Sequence, residues 1–149
     1  MRGVTNLYFL LAAFAGAGLA AQSAINTQLR AATGSALWAS LISTALTFLL
    51  LAGAQVFVRE TLTVPNPSQH PWWIWSGGIM GAVYVFVVVA FTRYLGVALV
   101  FAAIIGGQLM TGLLIDHYGW FNVSVQRLSP ARLLGAALLV AGMALIRWK

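Results

Sequence analysis

The side chains that could bind a solute in this sequence are a few uncharged amides inside long apolar runs. Gln22 and Asn26 lie four residues apart in the first run, and Gln108 lies in a later one. Residues four apart share one face of a helix. Amides donate and accept hydrogen bonds, but at membrane depth they need another helix, a water-filled cavity or a ligand as partner. Binding a solute and joining two helices are equally good interpretations of these three amides.

A second apolar run adds an indole and a stripe of hydroxyl groups. Trp38 lies near its start, and the hydroxyls belong to Ser40, Ser43, Thr44 and Thr47. Serine and threonine hydroxyls in helices commonly bond to carbonyls of their own helix, so most of these are expected to be structural. For the lining of a substrate site we predict one set of residues: Gln22, Asn26, Trp38, Ser40 and Gln108.

Carboxylates are almost absent, since Glu60 and Asp116 are the only two in the chain. Glu60 follows Arg59 in a proline-rich stretch and is predicted to be a solvated surface charge. Asp116 ends an apolar run, so we expect it at the membrane interface. There it would have a structural role, as a loop anchor or the partner of an arginine, or a functional role as a proton or cation site. The first role is the simpler interpretation.

Sequence patterns typical of enzymes are missing. The two histidines, His70 and His117, are far apart, the chain has no cysteine, and no cluster has the spacing of metal ligands. No glycine-rich phosphate loop and no nucleophile constellation occur. We therefore expect a protein that is not an enzyme and uses neither a metal nor another cofactor.

The composition indicates a chain built for lipid. Of its 149 residues 61% are hydrophobic and 7% charged, and the mean hydropathy is +0.91, far from the values of soluble domains. Runs of about 20 apolar residues predict membrane-spanning helices. The predicted fold is an all-α integral membrane protein with one membrane domain, 1–149, and five helices at about 5–28, 37–58, 71–92, 97–115 and 130–146.

Positive charge is spread along the chain and does not form a basic face. The net charge is +6, but the eight lysine and arginine residues stand singly near the ends of apolar runs, so binding of nucleic acid is not expected. Five crossings would place four of these cations on each side of the membrane. The side of a membrane protein with more Lys and Arg is normally the cytoplasmic side. Because the two sides are equal here, the sequence favours neither orientation. Insertion in both orientations, with pairing to an inverted second copy, is favoured over the alternative that subtler signals and a partner chain set the orientation.

Three short stretches, Gly16–Asn26, Gly77–Ala82 and Gly107–Gly119, carry a family resemblance in their order and spacing. Over essentially its whole length the chain resembles the YdcZ-type branch of the drug/metabolite transporter superfamily. This implies a five-helix protomer, equal to half of the ten-helix inverted-repeat transporters of the EamA type and related to small multidrug resistance exporters. It further implies an antiparallel dimer in the cytoplasmic membrane of a bacterium.

One departure from that pattern bears on the substrate. Small multidrug resistance exporters carry a glutamate in the first helix, where this chain offers Gln22 and Asn26. Proton-coupled export of a cation is therefore less plausible than transport of a neutral or anionic solute, or coupling to another ion. We predict a transporter of a small solute that works by alternating access between two inverted protomers. The alternatives are a passive channel of the same dimeric build and a non-transporting membrane scaffold or accessory subunit.

Overall fold

A computed structural model of the protein describes residues 2–58, 61 and 65–148, with side chains at 5–58, 61 and 65–148. The predictions made for Arg59 and Glu60 lie outside the described residues. Within the described residues, five helices are long and apolar enough to span a membrane, which agrees with the predicted number of spans. Their bounds are α1 (Arg2–Thr33), α2 (Ala36–Val58), α3 (Gly77–Leu95), α4 (Val97–Tyr118) and α5 (Pro130–Arg147).

Helix ends follow local residue chemistry. Ser35 caps α2, because its Oγ accepts the Trp38 backbone N–H at 3.3 Å. Ser129 caps α5 in the same way through the backbone N–H of Arg132, with Pro130 at the first helical position. The first backbone N–H groups of a helix lack a helical acceptor. Serine at the cap accepts a bond from one of them, and proline at the first position has no N–H to satisfy.

Three helices extend beyond the expected ends, and α3 is one of them, since it continues from Thr92 to Leu95. The first continues from Gln28 to Thr33 and stops at Gly34, whose φ of +69° suits glycine. The fourth continues to Tyr118 and stops at Gly119. Because hydropathy marks where lipid ends and not where helical hydrogen bonding ends, it places all three helix ends too early. Asp116 consequently belongs to the last turn of α4 and not to the loop after it.

The third span was expected to be helical from residue 71, but it begins with a tighter turn. Residues Trp72–Trp75 form a 3₁₀ turn after Pro71, and the α-helix begins only at Gly77. The Ser76 hydroxyl donates to the Trp73 carbonyl at 2.7 Å, and the Ser76 N–H donates to the same carbonyl. These bonds hold the tight turn, because short hydroxyl side chains compete with regular helical bonding.

The chain divides into two compact units, Met1–Arg93 and Tyr94–Lys149. In the first unit α1 packs against α2, and in the second α4 packs against α5. Few apolar side chains are buried in either: Ala39, Val88 and Val89 in the first, and Val100, Leu113 and Ala136 in the second. Most large apolar side chains are exposed, as expected for helices whose outer faces contact lipid.

Candidate functional site

Two amides on α1 converge on one hydroxyl of α2. Asn26 Nδ2 donates to Ser43 Oγ at 3.1 Å, and Gln22 Nε2 donates to the same oxygen at 3.4 Å. Asn26 is 6% exposed, whereas Gln22 and Ser43 are half-buried. We call these three residues the amide cluster. It joins α1 to α2, since each bond crosses between the two helices.

The amide cluster leaves hydrogen-bonding groups unused. Ser43 Oγ accepts two bonds, and its hydroxyl hydrogen has no acceptor in the described part of the chain. The side-chain oxygens of Gln22 and Asn26 likewise receive no donor from the described residues. No buried side-chain N or O atom is unsatisfied in the described part of the chain, so the two amide oxygens are accessible. The cluster thus keeps two acceptor oxygens and, because each amide NH2 carries two hydrogens and donates one bond, further N–H donors beside the Ser43 hydroxyl, all uncharged.

A second polar contact, between α1 and α3, lies in the interior of the first unit. Ser23 is 1% exposed, and its Oγ lies 2.7 Å from Thr92 Oγ1. The Thr92 hydroxyl also donates to the Val88 carbonyl at 2.7 Å. Since a hydroxyl has one hydrogen, Ser23 must be the donor to Thr92. Sequence reasoning missed this pair, because the two residues are 69 positions apart.

Arg30 fixes the end of α1 against α3. Its Nη1 donates to the backbone carbonyls of Val89 and Ala90 at 3.3 and 2.5 Å. Those carbonyls lie in the last two turns of α3, where a cation also favours the negative end of the helix dipole. Arg30 was expected only as a flanking charge, and no local sequence signal identifies the carbonyls that it binds.

Two other predicted lining residues of the first unit differ from the amide cluster in their surroundings. Ser40 is buried, and its hydroxyl donates to the Ala36 carbonyl of its own helix at 2.8 Å. Trp38 is 62% exposed. The structure therefore brings Gln22 and Asn26 together but engages neither with Ser40 or Trp38.

The remaining predicted residues lie in the second unit, along a groove between α4 and α5. This groove, the charge-pair groove, has a volume of about 570 Å³. Its walls are mostly apolar, and Gln108 lies exposed along it. Its lining consists of Ile105, Gln108, Leu109, Gly112, Leu113, Asp116, Arg132, Gly135, Ala136 and Leu139.

An ion pair closes one end of the charge-pair groove. Arg132 Nη2 donates to Asp116 Oδ2 at 2.7 Å, and the two side chains are 35% and 30% exposed. Arg132 Nη1 also donates to the Gln126 carbonyl at 3.0 Å. An arginine partner was one of the two roles expected for Asp116. The identity of that arginine was not predicted.

The loop after α4 holds this ion pair in place. Gly119 has a φ of +65°, and a Cβ there would lie 2.8 Å from Val125 Cγ2, so the turn requires glycine. The chain then folds back, and the Gln126 N–H donates to the Asp116 carbonyl at 2.8 Å. The Leu128 N–H donates to His117 Nδ1 at 3.3 Å, which requires the unprotonated Nδ1.

No three residues of the metal-ligating types are grouped among the described residues. Three polar groupings of the described spans are candidates for a function: the neutral amide cluster, the Ser23–Thr92 hydroxyl pair and the Asp116–Arg132 ion pair. The first two lie in the first unit and the third lies in the second. None of them has the geometry of a nucleophile with its base.

Comparison with known proteins assigns the chain to a family. Residues 7–145 match the family described as "Putative inner membrane exporter, YdcZ". The inner membrane protein YdcZ of Escherichia coli (strain K12) is 27% identical over 141 residues, which cover 94% of this chain and 93% of that protein. No solved structure matches the chain significantly.

Proposed function

Because the chain belongs to the YdcZ family, we propose that it transports a small polar solute across the cytoplasmic membrane of a bacterium. Its relative is an inner membrane protein, and five apolar helices make the chain a multi-pass protein of that membrane. The family description names an exporter, a class of transporter.

The unused hydrogen-bonding groups of the amide cluster carry the proposal. In hydrocarbon a polar group without a partner costs several kcal/mol, so groups left free in one protomer call for water or a ligand. The two amide oxygens and the Ser43 hydroxyl would bind a solute that both donates and accepts hydrogen bonds. No charged residue belongs to the cluster, which favours a neutral solute over a cation.

The proposed assembly is an antiparallel homodimer that inserts in both orientations. Two inverted copies have equivalent inward-open and outward-open forms, so neither form is favoured by structure alone. The even division of lysine and arginine between the two sides supports this arrangement. Gln22 and Asn26 of both copies would then line one central pathway, with Trp38, Ser40 and Gln108 as further candidates for its walls.

The test is solute release from proteoliposomes loaded with a small-molecule extract of bacterial cells. Mass spectrometry identifies solutes released by the protein and retained by empty vesicles. We expect Gln22→Leu and Asn26→Leu each to slow release at least about tenfold, because about 1.4 kcal/mol of binding free energy corresponds to a factor of ten. Each change replaces an amide by an apolar side chain of similar size.

Gln28→Leu is the matched control, since Gln28 is an exposed amide on the same helix and outside the cluster. Release that is unchanged in both cluster variants would refute the assignment of the site. If no solute is released by the wild-type protein, the proposed function fails. Ion currents far above transporter rates would indicate the passive channel instead.

A further inference from the structure

The charge-pair groove has the features of a lipid-binding site. We propose that it binds one acyl chain and the headgroup of a zwitterionic phospholipid whose headgroup carries a primary ammonium and a phosphate. The ammonium would donate to Asp116, and the phosphate would accept from Arg132. This proposal concerns a bound lipid and not the transported solute, so either proposal can fail without the other.

The ion pair at the end of the groove retains unused bonding capacity of both signs. Asp116 Oδ2 accepts from Arg132, whereas Asp116 Oδ1 receives no donor from the described residues. Arg132 uses one N–H of Nη1 and one of Nη2, which leaves three of its five N–H groups for another acceptor. Both side chains are about one third exposed, so a headgroup can reach them.

Each charge of the ion pair lies at a helix end whose dipole has the same sign and therefore does not offset it. Asp116 lies in the last turn of α4, where the helix end is already negative, and Arg132 lies in the first turn of α5, where it is positive. The ion pair therefore presents a negative side and a positive side a few ångströms apart. A zwitterion matches both sides, whereas an anionic headgroup without an ammonium leaves Asp116 unmatched.

The length of the groove fits one leaflet. From Ile105 to Asp116 the helix rises about 16 Å, at 1.5 Å per residue. Half of a hydrocarbon core of about 30 Å is about 15 Å, the depth that one acyl chain fills. The walls along this length are mostly apolar, with Ile105, Leu109 and Leu139 among them, and also include the Gln108 amide.

Aromatic side chains place the ion pair at headgroup depth. Tyr118 and Trp120 follow Asp116, their rings stack with centroids 5.4 Å apart, and both are at least half exposed. Tyrosine and tryptophan concentrate at the boundary between hydrocarbon and headgroups. The charged end of the groove therefore lies where a phosphate and an ammonium lie, and the apolar part extends toward the bilayer midplane.

The experiment uses the full chain in nanodiscs of lipids with identical acyl chains and ethanolamine, choline or glycerol headgroups. Native mass spectrometry counts retained lipid, and thermal unfolding reports stability. We expect at least about threefold more retained ethanolamine lipid than choline or glycerol lipid, because only the ethanolamine headgroup offers N–H donors together with a phosphate. Of the three nanodisc samples, the protein in the ethanolamine lipid should also unfold at the highest temperature.

Variants locate the effect. Asp116→Asn should abolish the preference for ethanolamine by removing the anionic acceptor, and Leu139→Trp should reduce retention of all three lipids by filling the groove. Arg127→Gln is the matched control, because Arg127 is an exposed cation in the loop between α4 and α5 and does not line the groove. It should keep the preference intact.

Several results would overturn the proposal. Equal retention of the three lipids by the wild-type protein would overturn it, and this result does not depend on whether a variant folds. A preference of the wild-type protein for the glycerol lipid would also overturn it. Efficient disulfide formation between two Leu139→Cys protomers, together with no retained lipid, would show that a second copy covers the groove.

Discussion

The Ser43 hydroxyl is the acceptor shared by two amides of α1. Side-chain hydrogen bonds between membrane helices contribute about 0.6 kcal/mol on average and up to about 1.7 kcal/mol. The buried Asn26 amide has no second acceptor among the described residues. This makes Ser43 the most informative position for a single substitution in the first unit.

We predict that Ser43→Ala lowers the free energy of unfolding by about 1 kcal/mol, because two donors lose their acceptor. Ser40→Ala is the control and should cost less, since the Ser40 hydroxyl bonds only within its own helix. Unfolding in mixed micelles measures both. Equal losses in the two variants would contradict the role of Ser43 as the junction of α1 and α2.

The hydroxyl pair of Ser23 and Thr92 predicts an asymmetry. Thr92→Val leaves the buried Ser23 hydroxyl without its acceptor and should cost about 1–2 kcal/mol. Ser23→Ala should cost less, because Thr92 still donates to the Val88 carbonyl. A double-mutant cycle measured by unfolding tests this. A larger loss for Ser23→Ala would show that the bond runs from Thr92 to Ser23.

The sequence alone allows Asp116 two roles, as the partner of an arginine or as a proton or cation site. Its pairing with Arg132 supports the structural role named for it from the sequence. Its use as a proton or cation site stays a prediction, as does the role of Gln108 in binding substrate. Gln108 lies exposed on the charge-pair groove, where a ligand or a second protomer could supply its hydrogen-bond partner.

At the scale of elements, the end of α4 depends on one backbone conformation. Gly119 turns the chain so that Gln126 and Leu128 return to the helix end and Arg132 reaches Asp116. A residue with a Cβ would have to hold a positive φ and also displace Val125. The ion pair of the groove therefore depends on a glycine that lies outside it.

We predict that Gly119→Ala costs about 1–3 kcal/mol, the range for strained backbone positions. Adding Val125→Ala should recover only the part due to the steric clash. Gly107→Ala is the control, because its Cβ would meet open space within α4 and alanine favours helices by about 1 kcal/mol. Thermal unfolding compares the three variants. A Gly119→Ala protein as stable as wild type would refute the requirement.

At the scale of the whole molecule, the decisive property is orientation. The equal division of lysine and arginine predicts insertion both ways. The absence of cysteine from the sequence makes a direct test possible, since any introduced thiol is the only one.

We predict that a Trp148→Cys protein in spheroplasts reacts with a membrane-impermeant thiol reagent at about half of its sites, and fully after permeabilisation, as equal insertion requires. Gly53→Cys, within the second span, is the control and should stay unlabelled. Reaction in only one of the two conditions would mean one fixed orientation. The inverted homodimer would then be excluded.

The sequence by itself determined the class of protein, the number of spans and several helix ends. Apolar length predicts a span because the cost of exposing backbone to lipid is a local property. The caps of α2 and α5, Ser35 and Ser129, depend on local sequence alone, because each bonds to a backbone N–H three residues away. For the same reason the shared face of Gln22 and Asn26 could be predicted.

The tertiary structure decided which partners these residues meet. A helix rotated by one residue turns its side chains by about 100°, so a stripe of hydroxyls does not reveal which member faces a neighbour. That rotation selects Ser43 over Ser40 for the amides, pairs Ser23 with Thr92, and brings Arg132 to Asp116. It depends on packing between helices distant in sequence, and no local pattern encodes it.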